Sequence, residues 1–593
     1  MAGTELTSVE EKTLCIIVAR FGEEPFSMEA LEGAAPERLT GFEAMLGVER
    51  LRERGIVVTR KKAWGERLHS LADGVFPHWQ AAFFGLSLAL PEHERVEAVR
   101  EPKRGLARLL FDLLAQISCG GGALTQKGVP HKKELSGWTA GADVTGEELE
   151  GLEITYVHAD KLPKAFAVIF DAALRLGLLQ VGVGRLELVA ERVRRWLKET
   201  PEERERRLQE LWWDVYMPND IWLQHAAGVL RSLRAGEWLP VPHIGERLEA
   251  LEVPSASRTA EQLETAIWGY WLTPMIAFGM LERGEWKRGD GSVVACVRWK
   301  ETVREGGGKW YVQPDFEVIV PPDVDFEARW HLAGLADYEG GDEVERYRLS
   351  KSSWRGALER GDEAKAGIDV LRRHAAYGVP EEVERSLQEW SDRFGSICFE
   401  DVTLLRCRDR NDAEALLASE LTSPYLLSRV GDRDFIVSKL QVKALAELLE
   451  RQGFSPRFTA GAADKPEFGP QRGPSSSGSA SGIVYRKRVP SVFPVDSEPP
   501  GTEALRRRLE QVPLAWFKSF RKYHHTTMRE LVETAIAVKT AVRCRRADEE
   551  WYIYPQSLQV SSNGTFQVTG YRDGKETVVA SDGWEELQLY LPE

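Results

Sequence analysis

Apolar residues recur at helical spacing through SVEEKTLCIIVARFG (8–22) and through LTGFEAMLGVERLRERGIV, which stops at Gly55. The pattern then switches. IVVTRKKAWGERLHSLA has two β-rich flanks around Arg60, Lys61, Lys62 and Gly65, which predicts a short hairpin. Helices followed by a hairpin predict a winged-helix-like domain over residues 1–100. The order returns over 101–215. GLARLLFDLLAQIS is helical, ALTQKGVPHKKELSGW is a turn leading into a basic helix start, and KLPKAFAVIFDAALRLGLLQVGVGRLELVAERVRRWLKE supplies a helix, a glycine stop, a hairpin and a last helix. A looser third copy is predicted over 216–310, where AIWGYWLTPMIAFGMLERGEW precedes the strand VVACVRWK.

From 311 to 457 short helices and strands alternate. WYVQPDFEVIVPP reads as a strand, Ser350 caps one helix start and Pro380 sits in the first turn of another, which predicts an α+β domain. Residues 458–482 (GPQRGPSSSGSASG and its flanks) carry too little apolar surface to fold and predict a flexible linker that lets the C-terminal part move independently. Residues 483–593 start basic and end in short alternating strands joined by SSNG and RDGK turns, which predicts a small β-barrel. The expected fold class is multidomain α+β.

Composition narrows the classes. The 593 residues are 43% hydrophobic and 29% charged, with no apolar run near membrane length and no signal-peptide pattern in MAGTELTSVEEKT, so a cytoplasmic protein is expected, with nucleoid association open to it. Cys15, Cys119, Cys296, Cys398, Cys407 and Cys544 are scattered without a CxxC pair, which leaves no framework for disulfides or structural zinc. A net charge of -14 excludes a uniformly basic nucleic-acid binder, so DNA binding requires local basic surface. Between positions 484 and 546 there are 14 Lys/Arg against 6 Asp/Glu.

Three groups of cations are candidate nucleic-acid contacts. The first is the hairpin at Arg60, Lys61 and Lys62. The second is the turn and helix start at Lys127, Lys132 and Lys133. The third comprises Arg486, Lys487 and Arg488, then Lys518, Arg521 and Lys522, then Arg543, Arg545 and Arg546. A cluster at Arg506, Arg507 and Arg508 lies in the same basic stretch. In LAWFKSFRKYHHTTMREL, a helix places Trp516 and Phe520 on one face, either to stack on bases or to pack on the barrel.

VQPDFEVIVPP, YRLSKSSWRGALERGDEAKAGIDVLRRHAAYGVPEEVERSLQEWSDRFGSI and LLERQGFSP resemble the helicase-associated domain shared with the N-terminal region of XPB-type helicases. LTQKGVPHKKEL and LRLGLLQV look like the upstream half of the same bacterial family. TAIAVKTAVRCRRADEEWYIYPQSLQVSSNGTFQVTGYRDG is similar to a WYL-type, Sm-like barrel, although Trp551 and Tyr552 are followed by Ile553 and not by leucine. The resemblance implies an XPB-like domain over 311–457 and an association with DNA repair.

No motor is expected. Gly306, Gly307, Gly308 and Lys309 are followed by Trp310 where a phosphate loop needs Ser or Thr, and the glycine spacing is wrong, so a hairpin loop is predicted. Asp362, Glu363, Ala364 and Lys365 read as a helix start. The pairs Asp323/Asp325 and Asp432/Asp434 read as solvated turns, and His524, His525 and His131 lack metal partners. The expectation is therefore a non-catalytic DNA-binding accessory protein without cofactor or metal. Its partners would be single- or double-stranded DNA and an XPB-type helicase or a nuclease. The alternative is a protein-interaction scaffold or an effector-responsive transcription regulator.

Overall fold

The computed structural model describes residues 6–85, 88–99, 104–140, 143–302, 304–341, 344–395, 397, 402–457, 482–485, 493–498, 501, 509–546, 549–561 and 565–592. The linker prediction at 458–482 and the cations Arg486, Lys487, Arg488, Arg506, Arg507 and Arg508 fall almost wholly outside them. The chain divides into two compact units, one made of Met1–Leu349, Arg373–Gly378 and Ala480–Glu593, the other of Ser350–Arg372 and Val379–Ser479.

The first unit opens with α1 (Ser8–Phe21), α2 (Met28–Ala34), α3 (Gly41–Glu53), β1 (Val57–Lys61), β2 (Arg67–Leu71) and α4 (Val75–Phe84). Thr7 and Thr40 start α1 and α3 with reciprocal capping boxes, to Glu10 and Glu43. Leu14, Ile17 and Val18 of α1 and Val48 and Leu51 of α3 are buried, the helical spacing seen in the sequence. Strand β3 (Val96–Val99) comes next.

Two further stretches of helices followed by strands come after it, the second of them joining its strands with β3 in a four-stranded sheet. The first of these has α5 (Leu106–Ser118), α6 (Lys132–Ala140), β4 (Thr155–Tyr156), α7 (Lys164–Arg175), the hairpin β5 (Leu179–Val181) and β6 (Leu186–Leu188), then α8 (Ala190–Lys198) and α9 (Pro201–Tyr216). The second has α10 (Ile221–Ser232), β7 (Leu239–Pro240), α11 (Val241–Ala250), α12 (Ala260–Ile267), a π-helical turn at Trp268–Leu272, α13 (Thr273–Ala277), β8 (Leu281–Lys287) and β9 (Val293–Trp299). One apolar core runs through all three, with Trp196, Trp212, Trp222 and Trp271 fully buried.

That core does not stop near residue 310, where the sequence pattern predicts a domain boundary. β10 (Tyr311–Val312), β11 (Glu317–Val320), α14 (Phe326–Leu335), β12 (Asp337–Gly340) and β13 (Glu345–Arg348) form a sheet of order β10-β11-β13-β12 with one helix. Phe326 of α14 packs on Phe111 of α5 and Trp196 of α8, at ring distances of 4.9 and 5.5 Å. The division falls after Leu349 instead.

The second unit contains α15 (Lys351–Glu359), most of α16 (Ala364–His374), α17 (Glu381–Arg393), β14 (Thr403–Arg406), α18 (Arg410–Ala418), β15 (Leu426–Arg429), β16 (Asp434–Val437) and α19 (Val442–Arg451). Ser350 caps α15, and Trp354 is buried with its indole N–H donated to Ser391 at 2.9 Å. Strands in the order β14-β16-β15 pack Phe435 and Val437 on Leu416, Leu445 and Leu449.

The C-terminal part has β17 (Val484–Tyr485), α20 (Leu514–Lys518), α21 (His525–Val538), β18 (Val542–Arg546), β19 (Glu549–Val560), β20 (Phe566–Arg572), β21 (Lys575–Ala580) and β22 (Glu586–Leu589). The predicted barrel is not closed. Five strands run in the order β21-β20-β19-β18-β22, and among the described residues β21 and β22 do not pair. The long strand β19 shifts register between Pro555 and Ser557 and bends the sheet. Met528, Leu531, Val532 and Ala535 of α21 belong to its core, so the sheet is filled by a helix and not by closure on itself.

This part is not a free tether either. β17 pairs with β4, and Asp171 of α7 accepts the Val484 N–H at 2.8 Å. Farther on, the Lys539 carbonyl accepts the Phe42 N–H at 2.8 Å and the Tyr554 hydroxyl accepts the Gly41 N–H at 3.0 Å. Both amides belong to the first turn of α3.

Candidate nucleic-acid interface

The β1–β2 hairpin carries Arg60, Lys61 and Lys62, but its cations are already engaged. Thr59 points inward, where its hydroxyl bonds His69 Nδ1 at 2.9 Å. On the outer edge of β1 residues 493–496 run as an additional antiparallel strand. Val495 lies opposite Arg60, the Lys61 N–H donates to the Pro494 carbonyl at 3.2 Å, and the Asp496 N–H donates to the Thr59 carbonyl at 2.9 Å. Arg60 reaches the Phe493 carbonyl at 3.2 Å. Two acids complete the cover. Arg67 pairs with Asp496 at 2.8 Å and also with Glu498, Lys61 lies 3.5 Å from Glu498, and Arg52 donates to the Glu498 carbonyl at 3.1 Å. Lys62 pairs with Glu66 at 2.8 Å beside the exposed Trp64 ring.

The second group is open. Lys127 sits at the tip of a turn closed by the Thr125 N–H on the Val129 carbonyl at 2.8 Å, with Gly128 at φ 73°. Lys132 and Lys133 open α6. The Leu124 N–H donates to the Gly184 carbonyl at 2.8 Å, and Ala123 bridges Arg185, so the turn is tied to the β5–β6 hairpin. That hairpin ends in Gly182, Val183 and Gly184, with Val183 wholly exposed. Arg185 therefore joins the group, a residue that the sequence reading does not single out. Its signal is a charge placed directly after the glycine-flanked turn VGVGR. Among the described residues Lys127, Lys132, Lys133 and Arg185 are exposed and make no ion pair.

At the C-terminal sheet the picture is mixed. The helix expected to align Trp516 with Phe520 ends at Lys518, because Ser519 is extended at φ -160° and ψ 155°. Trp516, Phe517 and Tyr523 pack on the core of this part. Phe520 lies instead against the guanidinium groups of Arg545 and Arg543, at 3.9 and 4.9 Å. Arg521 pairs with the outer edge of β22 through two backbone bonds to Leu587, of 3.2 and 3.0 Å. On the outer sheet face Arg543 stands between Gln588 and Tyr552, and Arg545 between Glu586 and Glu550. Glu550 takes Arg543 at 3.2 Å and Arg545 at 2.5 Å, and the Arg545 hydrogen bond holds its carboxyl below the ordinary range. Arg546 lies 3.8 Å from Glu585. Lys518, Arg521 and Lys522 are exposed and, among the described residues, have no carboxylate partner.

Several of the residues considered for phosphate, metal or acid–base chemistry have local structural partners. Gly306 and Gly307 take positive φ in a turn, and a Cβ at Gly308 would lie 2.6 Å from the Asp323 side chain. Trp310 is fully buried, with its N–H on the His374 carbonyl at 3.0 Å. Asp325 caps α14 by accepting the Ala328 N–H at 2.7 Å, and Asp434 pairs with Arg406 at 2.7 Å. His524 meets the Thr526 hydroxyl at 3.1 Å, while His525 is edge-on to Phe566. Among the described residues no group of His, Cys, Asp or Glu could hold a metal ion, and no helix is long and apolar enough to cross a membrane.

Residues 310–431 match the family model of the helicase conserved C-terminal domain. The match includes most of the segment whose sequence resembles a helicase-associated domain, and it makes that segment helicase-related. It covers about a fifth of the chain and crosses the division between the two compact units. No curated protein matches the chain.

Proposed function

We propose that the protein is a non-catalytic nucleic-acid-binding accessory factor that works beside a helicase or nuclease in DNA repair or processing. The observation that carries this reading is the placement of charge. On a body of net charge -14, Lys127, Lys132, Lys133 and Arg185 form one exposed basic group without carboxylate partners among the described residues, and Lys518, Arg521 and Lys522 form another. Such cations suit phosphates, which need fixed positive charge at a surface. Helices followed by a two-stranded hairpin in the first two modules agree with the winged-helix expectation, and hairpins of such modules are common nucleic-acid contacts. The helicase-related segment supports the same setting.

A second reading, a protein-interaction scaffold, draws on a specific feature: the first module spends its hairpin edge and the start of α3 on the chain's own C-terminal part. Titrating full-length protein with single- and double-stranded DNA at several salt concentrations separates the two. Binding that weakens with salt is expected, and reversing Lys518, Arg521 and Lys522 to Glu lowers the log–log slope for duplex by about 3, at roughly 0.9 per phosphate contact. Absence of binding at low salt, or an affinity indifferent to reversal of both basic groups, would leave the scaffold reading standing.

A further inference from the structure

The chain carries two comparable hairpins with opposite fates. The β5–β6 hairpin meets the backbone of residues 122–124 on its β6 side but keeps an exposed tip at Val183 and an exposed Arg185, while the edge of β1 is covered by residues 493–498. An open strand edge presents unpaired N–H and C=O groups. Here both the Lys61 N–H and the Thr59 carbonyl are taken by the covering strand, at 3.2 and 2.9 Å.

The cover is held mainly by charge. Pro494, Val495 and Glu498 are exposed, with Val495 at 58%, so little apolar surface is removed from water. What fixes the strand is Asp496 and Glu498 among Arg52, Lys61 and Arg67. The Asp496 side chain is only 3% exposed. Burial alone would raise its carboxyl, yet the Glu498 amide and the charges of Arg67, Lys61 and Arg52 hold it below the usual range. Guanidinium and ammonium groups that bind carboxylates bind phosphate oxygens by the same hydrogen bonds. A polyanion therefore competes for the same donors, and the exposed pairs of Glu498 with Lys61 and Arg67 are the ones that yield first to competition and to salt.

We propose that residues 493–498 form an acidic strap that closes a nucleic-acid-backbone site in cis, and that phosphates take Arg60, Lys61 and Arg67 when the strap leaves, while Arg52 keeps its pair with Glu49. The proposal rests on the nucleic-acid reading above and adds to it a masked site with its own regulator. The strap's extended shape and two acids imitate a phosphate backbone. The two open basic groups bind without strap release, so the masked site adds affinity only when the strap is displaced.

The test uses full-length protein and a duplex of fixed length. Asp496→Asn with Glu498→Gln removes the strap's charges while keeping side-chain size. Glu246→Gln with Glu249→Gln on α11 changes net charge equally at exposed positions away from the strap. The strap variant is expected to bind about five- to ten-fold more tightly than wild type, with a salt slope steeper by about 2 to 3. The α11 variant should stay within about two-fold of wild type. Adding Lys61→Gln and Arg67→Gln to the strap variant should return affinity and slope to wild-type values. If wild type binds but the strap variant behaves like the α11 control, or its gain survives loss of Lys61 and Arg67, the strap proposal is wrong and the nucleic-acid reading stands. If neither wild type nor any variant binds at low salt, the nucleic-acid reading fails and the strap proposal falls with it.

Discussion

Replacing Glu345 by Gln removes one negative charge from a buried set of three arginines. Glu345 accepts Arg104 at 3.0 Å, Arg108 at 2.6 Å and Arg329 at a shorter contact, and the three guanidinium side chains are 4%, 9% and 5% exposed. Arg108 also donates to the Tyr347 hydroxyl at 2.7 Å, and Asp112 lies 2.8 Å from Arg104. Burial pushes the Glu345 carboxyl up, but Arg108, Arg329 and Arg104 outweigh it and bring the group below its ordinary value. With Gln at 345, Asp112 is left as the nearby carboxylate for these cations, and burial already raises its own pKa. Removing one partner from a buried ion pair typically costs about 3–5 kcal/mol, because the remaining charge stays desolvated. Glu345→Gln is therefore expected to lose about that much, read as a lowered urea midpoint by tryptophan emission, with Trp330 close by against Phe111. Glu282→Gln is the reference, since its pair with Arg298 is 24–32% exposed and should cost below about 1 kcal/mol. Equal losses in the two variants would refute the idea that burial makes the first network intolerant.

Acid should weaken the protein in a defined window. Burial lowers His69 and His225 to about 4 from 6.5, so the unfolded chain binds more protons between these values. Stability is full above about pH 6.5 and falls as pH drops toward 4, by up to about 3 kcal/mol per histidine, at 1.36 kcal/mol per unit. Urea midpoints across pH 4–7.5 check this, and His225→Gln should flatten the acid limb. Gly151→Ala should cost about 1–3 kcal/mol, because a Cβ there would lie 2.4 Å from the Gly269 carbonyl and 2.7 Å from its Cα, where backbone has little room to give. A melting temperature within about 1 °C of wild type would contradict it. Lys127→Glu with Arg185→Glu should weaken duplex binding and lower the salt slope by about 2, measured by fluorescence anisotropy.

The helices were legible because their signal is local. The α1 and α3 patterns, the glycine stop at Gly177 and the VGVGR hairpin each lie within one turn or one hairpin of sequence. Ser519 shows the limit: the apolar spacing of Trp516 and Phe520 fits a helix, but Phe520 gains a place against Arg543 and Arg545 only if the chain extends. Long-range pairings leave no local mark. Glu345 meets Arg108 across 237 positions, and Asp496 meets Arg67 inside a stretch whose overall charge is positive. The open sheet is hidden for the same reason, since strand count and turn type are local but closure is not.

The distribution of occupied and open sites gives the modules different jobs. A helix N-terminus and a hairpin edge are the two places where a helix–hairpin module offers spare backbone donors. In the first module both are spent within the chain: Gly41 and Phe42 N–H on Tyr554 and Lys539, Lys61 N–H on Pro494. α3 further loses freedom because Gly41 is the position where a Cβ would lie 2.8 Å from the Lys539 side chain, so glycine there permits the close approach. In the second module α7 is buried along its length and held to Val484 through Asp171 and Arg175, but its hairpin is exposed. The first module thus serves as the seat for the C-terminal part, while the tip of the second hairpin and the segment 518–522 that lines β22 carry exposed cations with no carboxylate partner among the described residues. On the proposed nucleic-acid reading, a polyanion would meet those two exposed basic groups first, and the first hairpin would become available only after its acidic strand is displaced.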